Sequence, residues 1–465
     1  MLFSLLRRPF LQPAGLLLAA GCALLLPGCA PGQDEPAPAG GRLDPRRYLA
    51  VGDSHTAGLR DGGLSRQSQE FSFPNLLARQ LPGEGAAFTQ PLLAEGRPTD
   101  YLRLLRLEAD GTARTERVPG AGVRQRLPFA NSCGQPAEAQ LLERAAAAGL
   151  PQNLGVPGLR LSQIENTGYG AEASARTQPG AFNPYFERLL PAAAPISYRR
   201  AVTKASGRAT FFTFFLGLDE YADYVGGGAA CPLLPANLSG STGVTATLTT
   251  PLALNARRLL DTLSAGGRTG VVALLPSLRD LPVLRQGLAD TLQARLRRRR
   301  REPALMLWIF DNKFRDSRQI DKNDFVLPAG LARLGEPEMV AGVARPYGLD
   351  PLNPLRNADV LDFTEFNNLT TSLTAYNEQL KAVAEIYKLA TVELGSEFFA
   401  PVAERLAVGG VVYSAEPVRG KVFSLDGYSL TPRGNALLAN GFVRAINRHY
   451  GATLPLLDVN SLPAQ

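Results

Sequence analysis

The fold is decided by one short stretch near the start of the chain, Arg47-Tyr48-Leu49-Ala50-Val51-Gly52-Asp53-Ser54-His55-Thr56-Ala57-Gly58. Its first half is an apolar run that ends at Gly52, which is typical of a parallel strand buried on both faces. A serine that follows such a strand and enters a helix places its hydroxyl at the edge of the sheet. Backbone N–H groups at that turn can hold an oxyanion. Ser54 is therefore the first candidate functional residue.

Farther along the chain, strand-like and helix-like stretches alternate. The strand-like stretches are short, apolar and rich in aromatic or β-branched residues; they are 210–216, 270–275 and 390–394. The helix-like stretches carry apolar residues at helical spacing; they are 71–81, 252–263, 373–387 and 434–449. Repeated alternation of this kind predicts an α/β protein with a central parallel sheet covered by helices on both faces.

Two stretches interrupt the alternation and are predicted to be insertions. The first, at about residues 92–123, reads as a β-hairpin around Asp110-Gly111. The second, at about residues 296–357, has no clear helical period. A chain of 465 residues could hold more than one domain. We expect one domain over residues 46–465, with both insertions close to the strand ends, where loops usually carry function.

The amino terminus predicts export. Arg7 and Arg8 precede an apolar stretch, Leu16 to Leu26, which is too short to span a membrane and has the length of a signal-peptide core. It ends in Leu26-Pro27-Gly28-Cys29, which resembles the lipobox of bacterial lipoproteins, in which the cysteine is acylated. Cys22 is a second candidate for that position.

Residues 1–29 are accordingly predicted to be a signal peptide with a lipobox, and residues 30–45 to be a Pro/Gly-rich tether. The expected location is the cell envelope, with a lipid anchor in a membrane at the outer membrane or the periplasmic face. A secretory signal that is cleaved without acylation is the alternative.

The charge and the remaining cysteines are consistent with an exported globular protein. The net charge is +7, and the densest basic run is Arg295 with Arg297 to Arg301. Such a run can bind nucleic acid or an anionic membrane, but a solvated helix end is the simpler interpretation, and no nucleic-acid partner is predicted. Outside the cytoplasm, Cys133 and Cys231 are candidates for one disulfide. The residue pattern predicts no metal site and no cofactor.

Four blocks of sequence, in order along the chain, resemble the SGNH (GDSL-type) hydrolases, in particular lipoproteins of this class from Bacteroidetes-type bacteria. The blocks are Gly52-Asp53-Ser54 with Gly58, then Asn153-Leu154-Gly155-Val156-Pro157-Gly158, then Gly217-Leu218-Asp219-Glu220, and finally Ser424-Leu425-Asp426-Gly427-Tyr428-Ser429 continuing to Gly434. The resemblance covers about residues 46–460. It implies a three-layer α/β/α, flavodoxin-like fold.

The resemblance also implies a mechanism, serine hydrolysis of carboxylic esters on lipids or glycans. In the family, a serine attacks the ester carbonyl, a histidine removes its proton, and an aspartate three residues before the histidine orients the ring. Ser54 and Asp426 match the serine and the aspartate. Ser429 stands at the histidine position, and its hydroxyl cannot act as a base near neutral pH.

A second departure concerns the oxyanion hole, which the family builds from the N–H of the serine, the N–H of a glycine and the amide of an asparagine. Ser54 and Gly158 match two of these, but Asp219 stands at the asparagine position. An ionised carboxylate accepts hydrogen bonds and repels developing negative charge. Loss of one donor of this kind costs about 3 to 4 kcal/mol of transition-state stabilisation.

The other histidines do not replace the missing one on sequence grounds. His55 is adjacent to Ser54, and on an extended strand end the two side chains would point to opposite sides. His449 lies at the end of the last predicted helix, where a cation is favoured. A carboxylate, Asp219 or Glu220, is a conceivable substitute base if burial raises its pKa.

Two functional hypotheses follow. One is a pseudoenzyme, a lipid-anchored binding or scaffold protein whose cleft retains a small-molecule, lipid or acylated-glycan ligand. The other is a weak or unconventional esterase that uses Ser54 with a carboxylate base. A third interpretation is that Ser54 and Asp426 are kept only as turn and cap residues of the fold. The oligomeric state does not follow from the sequence.

Overall fold

The central element of the fold is a parallel sheet of five strands. The structure is a computed structural model, and it describes residues 43–82, 88–107, 113–130, 136–145, 149–190, 195–226, 251–311, 314–416 and 418–464. The strands of the described residues are β1 Tyr48–Gly52, β2 Tyr101–Leu107, β3 Ala113–Val118, β4 Val123–Ala130, β5 Pro136–Leu142, β6 Asn153–Gly155, β7 Phe211–Phe215, β8 Thr269–Leu274, β9 Trp308–Asp311, β10 Asp316–Gln319, β11 Phe325–Val326, β12 Pro337–Val340, β13 Val343–Pro346, β14 Val360–Leu361, β15 Ala390–Glu393, β16 Leu406–Val408 and β17 Val411–Tyr413. The central sheet has the order β6-β1-β7-β8-β15.

Strand β1 occupies the interior of this sheet, and every one of its residues is buried. It pairs with β6 on one side, with Gly52 opposite Gly155, and with β7 on the other side, with Gly52 opposite Phe215. The aromatic strand β7 is also buried throughout. Such continuous burial is expected for strands of a parallel sheet whose two faces are both covered.

The strand order determines where a ligand can bind. Taken in chain order, the five strands lie as 2-1-3-4-5, so the connections leave β1 toward opposite edges of the sheet. This reversal opens a crevice at the carboxyl ends of β1 and β7, which is where open α/β sheets bind ligands. The loops that follow β1, β6 and β7 meet there.

The chain is mixed α/β, and α-helices occur between the strands along the sequence. Those of the described residues are α1 Ser54–Ala57, α2 Arg66–Glu70, α3 Phe73–Ala78, α4 Glu172–Thr177, α5 Pro184–Glu187, α6 Tyr198–Ser206, α7 Leu218–Gly226, α8 Pro251–Ser264, α9 Pro282–Arg285, α10 Ala289–Arg300, α11 Pro328–Arg333, α12 Phe363–Tyr387, α13 Ala400–Ala403 and α14 Pro432–Tyr450. The strand and helix predictions for β1, β7, β8, β15, α8 and α14 are confirmed to within a few residues. The arrangement is compatible with three layers.

The first predicted insertion contains more structure than the sequence indicated. The expected hairpin is present as β2 and β3, which pair antiparallel. A second hairpin, β4 with β5, follows it and extends this region to Leu142. The run Asn131-Ser132-Cys133-Gly134 is a turn signal in the sequence, but the prediction did not use it and ended the region at Val123.

The second predicted insertion is built from short antiparallel pairs, β9 with β10 and β12 with β13. Ile309 of β9 belongs to a small apolar cluster that is separate from the main core and also includes Leu292, Leu307, Tyr347 and Leu355. The run of arginines lies at the end of α10. Arg298 to Arg301 are exposed and Arg297 is half-buried, which agrees with the interpretation of the run as a solvated helix end.

Several sequence predictions lie outside the described residues. These are the signal peptide, the lipobox at Cys29 with its rival Cys22, most of the tether, and the candidate disulfide between Cys133 and Cys231. Within the described part of the chain, no helix combines the length and apolar character needed to cross a membrane.

Candidate functional site

Ser54 lies where the sequence predicts it, at the first position of α1, directly after β1. The turn that places it depends on Gly52. A Cβ atom at Gly52 would lie 2.0 Å from Oγ1 of Thr56 and 2.2 Å from the carbonyl oxygen of Phe215. Only glycine therefore allows β1, α1 and the end of β7 to approach this closely. The Ser54 side chain is buried, with 4% of its surface exposed.

Gly158 comes to the site from the loop after β6. Its φ of +66° lies in the left-handed region that favours glycine. Two hydrogen bonds hold this loop: Nδ2 of Asn183 donates to the carbonyl of Pro157 (2.9 Å), and the hydroxyl of Tyr169 donates to the carbonyl of Gly158 (3.0 Å). The N–H of Gly158 consequently points toward Ser54 and Asp219.

Asp219 enters the site from the start of α7, after β7. Its Oδ2 accepts hydrogen bonds from the N–H of Ser54 (3.0 Å), the hydroxyl of Ser54 (2.6 Å) and the N–H of Gly158 (2.7 Å). The two backbone N–H groups are the donors expected to stabilise an oxyanion. The structure therefore brings together the three residues predicted for the oxyanion hole, but the carboxylate of Asp219 itself occupies the position of the anion.

Tyr428 completes the hydrogen bonding of that carboxylate. Its hydroxyl donates to Oδ1 of Asp219 at 2.6 Å, so four donors surround the two oxygens of Asp219. Sequence reasoning missed Tyr428, although the residue lies within the last matched block, one position before Ser429. The signal available in the sequence was an aromatic hydroxyl directly before Ser429.

Asp426 and Ser429 form a separate, closed set of hydrogen bonds. The carboxylate of Asp426 accepts from the N–H of Gly62 (2.8 Å), the hydroxyl of Ser424 (3.0 Å) and the backbone N–H groups of Tyr428 (2.9 Å) and Ser429 (2.8 Å). The hydroxyl of Ser429 also donates to it. This set includes the hydroxyl of Ser429 and does not reach the hydroxyl of Ser54, which donates to Asp219.

The two histidines do not contact the hydroxyl of Ser54. Nε2 of His55 lies 3.2 Å from the carbonyl oxygen of Tyr428, and Nδ1 has no hydrogen-bond partner among the described residues. Nε2 of His449 lies 3.0 Å from the carbonyl oxygen of Lys388 at the exposed end of α14. His55 was expected not to take the proton of Ser54 because the two side chains would point to opposite sides of an extended strand end. That reason is wrong, because Ser54 and His55 lie in a helix.

Burial shifts the pKa values of His55 and Asp53 in opposite directions. Burial lowers the pKa of His55, against smaller opposing effects of the Asp219 and Asp426 carboxylates, so the ring is neutral near pH 7. Burial, together with the nearby charge of Asp219, raises the pKa of Asp53 well above its usual range. Oδ2 of Asp53 accepts from the N–H groups of Gly217 (3.1 Å) and Asp219 (3.3 Å), which fixes the start of α7.

One group among the described residues could present three ligand atoms to a metal ion. It consists of Asp53, His55 and Asp219, whose potential ligand atoms lie within 4.8 Å of one another. The group is buried, and both oxygens of Asp219 already accept hydrogen bonds from protein donors. Oδ1 of Asp53 and Nδ1 of His55 have no hydrogen-bond partner among the described residues, but protein donors already hold both oxygens of Asp219, so we assign no metal to the group.

Of the two carboxylates considered as substitute bases, only Asp219 lies at the serine. Oε2 of Glu220 accepts the N–H of Leu161 at 2.9 Å, which directs that carboxylate to the loop after β6. Asp219 and Glu220 are neighbours on α7 and therefore point in different directions. A carboxylate mechanism would have to use Asp219.

Ser54, Asp219 and Tyr428 form the polar floor of a cleft of about 370 Å³. The walls are largely aliphatic and include the side chains of Leu59, Val225, Leu281, Val283 and Leu284. A cleft of this size, mostly apolar with a few polar groups on one side, has the usual features of a small-molecule site.

No protein-family model, curated protein or solved structure matches this chain.

Proposed function

We propose that this chain is a cell-envelope protein with the three-layer, flavodoxin-like SGNH fold, and that it binds a ligand in the cleft above Ser54 without hydrolysing it. The strand order 2-1-3-4-5 supports the fold. The convergence of Ser54, Gly158 and Asp219 at the carboxyl ends of three neighbouring strands supports the family. The order of the four sequence blocks along the chain is a separate argument in its favour.

One observation carries the loss of hydrolysis: the carboxylate of Asp219 accepts the N–H groups of Ser54 and Gly158. An ester carbonyl that acquires negative charge needs those same N–H groups. It would have to displace an anion that four donors hold, and then develop charge beside it. Since one donor of an oxyanion hole is worth about 3 to 4 kcal/mol, loss of both would prevent efficient turnover.

Proton transfer is the second obstacle. The family's route from serine to histidine to aspartate is replaced by the hydrogen bond from Ser429 to Asp426. Neither ring nitrogen of His55 is bonded to Ser54. A serine hydroxyl without a base is a poor nucleophile at neutral pH.

A weak esterase is the second candidate, and one distance favours it. The hydroxyl of Ser54 donates to Oδ2 of Asp219 at 2.6 Å, so Asp219 could accept the serine proton. The same oxygen holds the two backbone N–H groups, however, so proton acceptance and oxyanion binding would compete for one position. This competition is why we prefer the binding function.

The deciding experiment is hydrolysis of p-nitrophenyl acetate and p-nitrophenyl butyrate by the purified protein beside Ser54→Ala. We expect equal rates for the two proteins. Labelling by a fluorophosphonate, which phosphonylates activated serines and releases fluoride, provides a readout that does not need turnover, and we expect none at Ser54. Hydrolysis or labelling that disappears in Ser54→Ala would establish the weak esterase instead.

A repair experiment tests the cause of the loss. The double variant Ser429→His, Asp219→Asn returns an imidazole to the position three residues after Asp426 and removes the charge from the oxyanion position. The matched control, Ser429→Ala with Asp219→Asn, removes the same charge without adding the base. We expect hydrolysis only in the variant with the imidazole. Equal rates in both would mean that the cleft itself has diverged from catalysis.

The proposed location follows from the lipobox and is tested separately. Cells of a Gram-negative host that express the full chain are fed an alkynyl palmitate, and the protein is isolated and probed for the label. We expect labelling that is lost in Cys29→Ser and kept in Cys22→Ser. Label that survives in Cys29→Ser would contradict acylation at Cys29.

A further inference from the structure

A second cleft, of about 260 Å³, opens beside the first. The two share a border, because Gly62 and Tyr185 line both. The far side of the second cleft is made by Arg117 of β3 and by Glu138 and Gln140 of β5. The two hairpins, β2 with β3 and β4 with β5, therefore add a compartment directly next to the cleft above Ser54.

The two compartments differ in chemistry. The first has aliphatic walls, whereas the second is lined by Asp100, Arg117, Glu138 and Gln140. The second also contains the ring of Phe182 and one side of Tyr185. A ligand that fills both must have an apolar part and a part rich in hydrogen-bonding groups.

The polar compartment has a rigid, buried framework. Asp100 is 5% exposed and accepts the N–H of Gly120 (2.7 Å), Nε2 of Gln140 (3.0 Å) and a two-pronged bond from Arg126 (2.8 and 2.5 Å). Arg126 also donates to Glu138 at 2.7 Å. The hydrogen bond from Arg126, with the charge of that residue, lowers the pKa of the Asp100 carboxyl, which is therefore ionised at neutral pH.

The charges of this compartment balance. The carboxylates of Asp100 and Glu138 are opposed by the guanidinium groups of Arg126 and Arg117, so no strong preference for an anion or a cation results. Hydroxyl groups both donate and accept hydrogen bonds, and carboxylates, amides and guanidinium groups together satisfy both roles. Aromatic rings beside such groups offer a surface for the apolar face of a sugar ring.

We propose that the two clefts form one bipartite site for a neutral amphiphile, with an acyl or alkyl chain above Ser54 and a sugar or polyol head against Arg117 and Gln140. The proposal rests on the binding function given above and names the class of ligand. The insertion supplies the recognition of the head, and the central sheet supplies the place for the chain.

The test compares four probes below their micelle-forming concentrations by isothermal titration calorimetry on the purified protein without its signal peptide: octyl glucoside, octyl phosphate, 1-octanol and methyl glucoside. We expect octyl glucoside to bind at least tenfold more tightly than each of the other three. Arg117→Ala and Gln140→Ala should weaken octyl glucoside at least fivefold and leave 1-octanol unchanged. Arg208→Ala, an exposed arginine at the end of α6, is the matched control and should change neither.

Each other outcome overturns a specific statement. Octyl glucoside that binds no more tightly than 1-octanol, or that is insensitive to both variants, would exclude a head group in the second cleft. Tighter binding of octyl phosphate than of octyl glucoside would show that the second cleft prefers an anionic head group to a neutral one. Failure of octyl glucoside and 1-octanol to bind at all would refute the proposed binding function itself. Circular dichroism of the Arg117→Ala, Gln140→Ala and Arg208→Ala variants verifies that the fold is kept.

Discussion

Replacement of Tyr428 by phenylalanine removes a single hydroxyl from the site and tests how the buried charge of Asp219 is held. That hydroxyl donates to Oδ1 of Asp219 at 2.6 Å in a partly buried setting. A hydrogen bond to a charged group contributes about 1.5–3 kcal/mol, and its removal leaves a carboxylate oxygen without this donor. We expect Tyr428→Phe to lower the free energy of unfolding by about 2 kcal/mol.

The measurement is urea-induced unfolding followed by circular dichroism, with the midpoint and the slope fitted separately. Tyr387→Phe is the matched control, because its hydroxyl donates to Oδ1 of Asp261 at 2.9 Å on the protein surface. Exposed pairs contribute little, so the control should lose less than about 0.5 kcal/mol.

The same change made together with Asp219→Asn separates charge from packing. Asparagine keeps one acceptor oxygen for the N–H groups of Ser54 and Gly158, and its NH2 group would donate to the hydroxyl of Tyr428, so the bond that Tyr428→Phe removes is neutral and should cost only about 1 kcal/mol in that background. Equal losses for Tyr428→Phe and Tyr387→Phe, or equal losses with and without Asp219→Asn, would refute the view that Tyr428 stabilises an anion in the oxyanion position.

Three further predictions concern the framework of the site and its titration. Gly52→Ala should prevent folding or cost more than about 3 kcal/mol, because its Cβ would lie 2.0 Å from another side chain, whereas Gly149→Ala, where nothing lies within 4 Å, should be neutral in thermal melts. Because burial lowers the pKa of His55, the folded state loses stability as the pH falls below about 6.5, by up to about 1.4 kcal/mol per pH unit, and His55→Leu should remove that slope in urea titrations at pH 5 to 8. An unchanged slope would mean that another group titrates there. Burial raises the pKa of Glu365 to about 7 from 4.5, so the wild type loses stability as the pH rises between these values. Glu365→Gln keeps the cap on the N–H of Asp362 and should gain stability relative to the wild type, by about 1 to 2 kcal/mol after allowance for partial solvent screening, when the pH is raised from 5 to 8; a constant difference would contradict the raised pKa.

Much of the fold could be predicted because its signals are local. The apolar run before Gly52 predicts β1, and helical spacing predicts α14. Strand β6 escaped prediction because it has only three residues and is held by its pairing with β1. The hairpin of β4 and β5 was also missed, because Pro128 within β4 argues against a strand, although Asn131-Ser132-Cys133-Gly134 is a turn signal.

The candidate site was predicted in part. The order of the four sequence blocks pointed to Ser54, Gly158 and Asp219, and the structure brings these three residues together. Tyr428 was missed because its role depends on a contact with Asp219, which is 209 residues away along the chain. The reason given for why His55 does not reach the hydroxyl of Ser54, an extended strand end, was wrong, because the backbone of Ser54 and His55 is helical.

The sequence by itself determined which chemical groups this protein has: Ser54 after a buried strand, and Ser429 and Asp219 at the positions where the resemblance to the SGNH hydrolases would require a base and an amide. These facts depend on residue identity, which folding does not alter. Only the tertiary structure decided that the carboxylate of Asp219 accepts hydrogen bonds from the backbone N–H groups of Ser54 and Gly158. That outcome depends on distances among three loops, and such distances are set by how the strands pair and not by the order of residues.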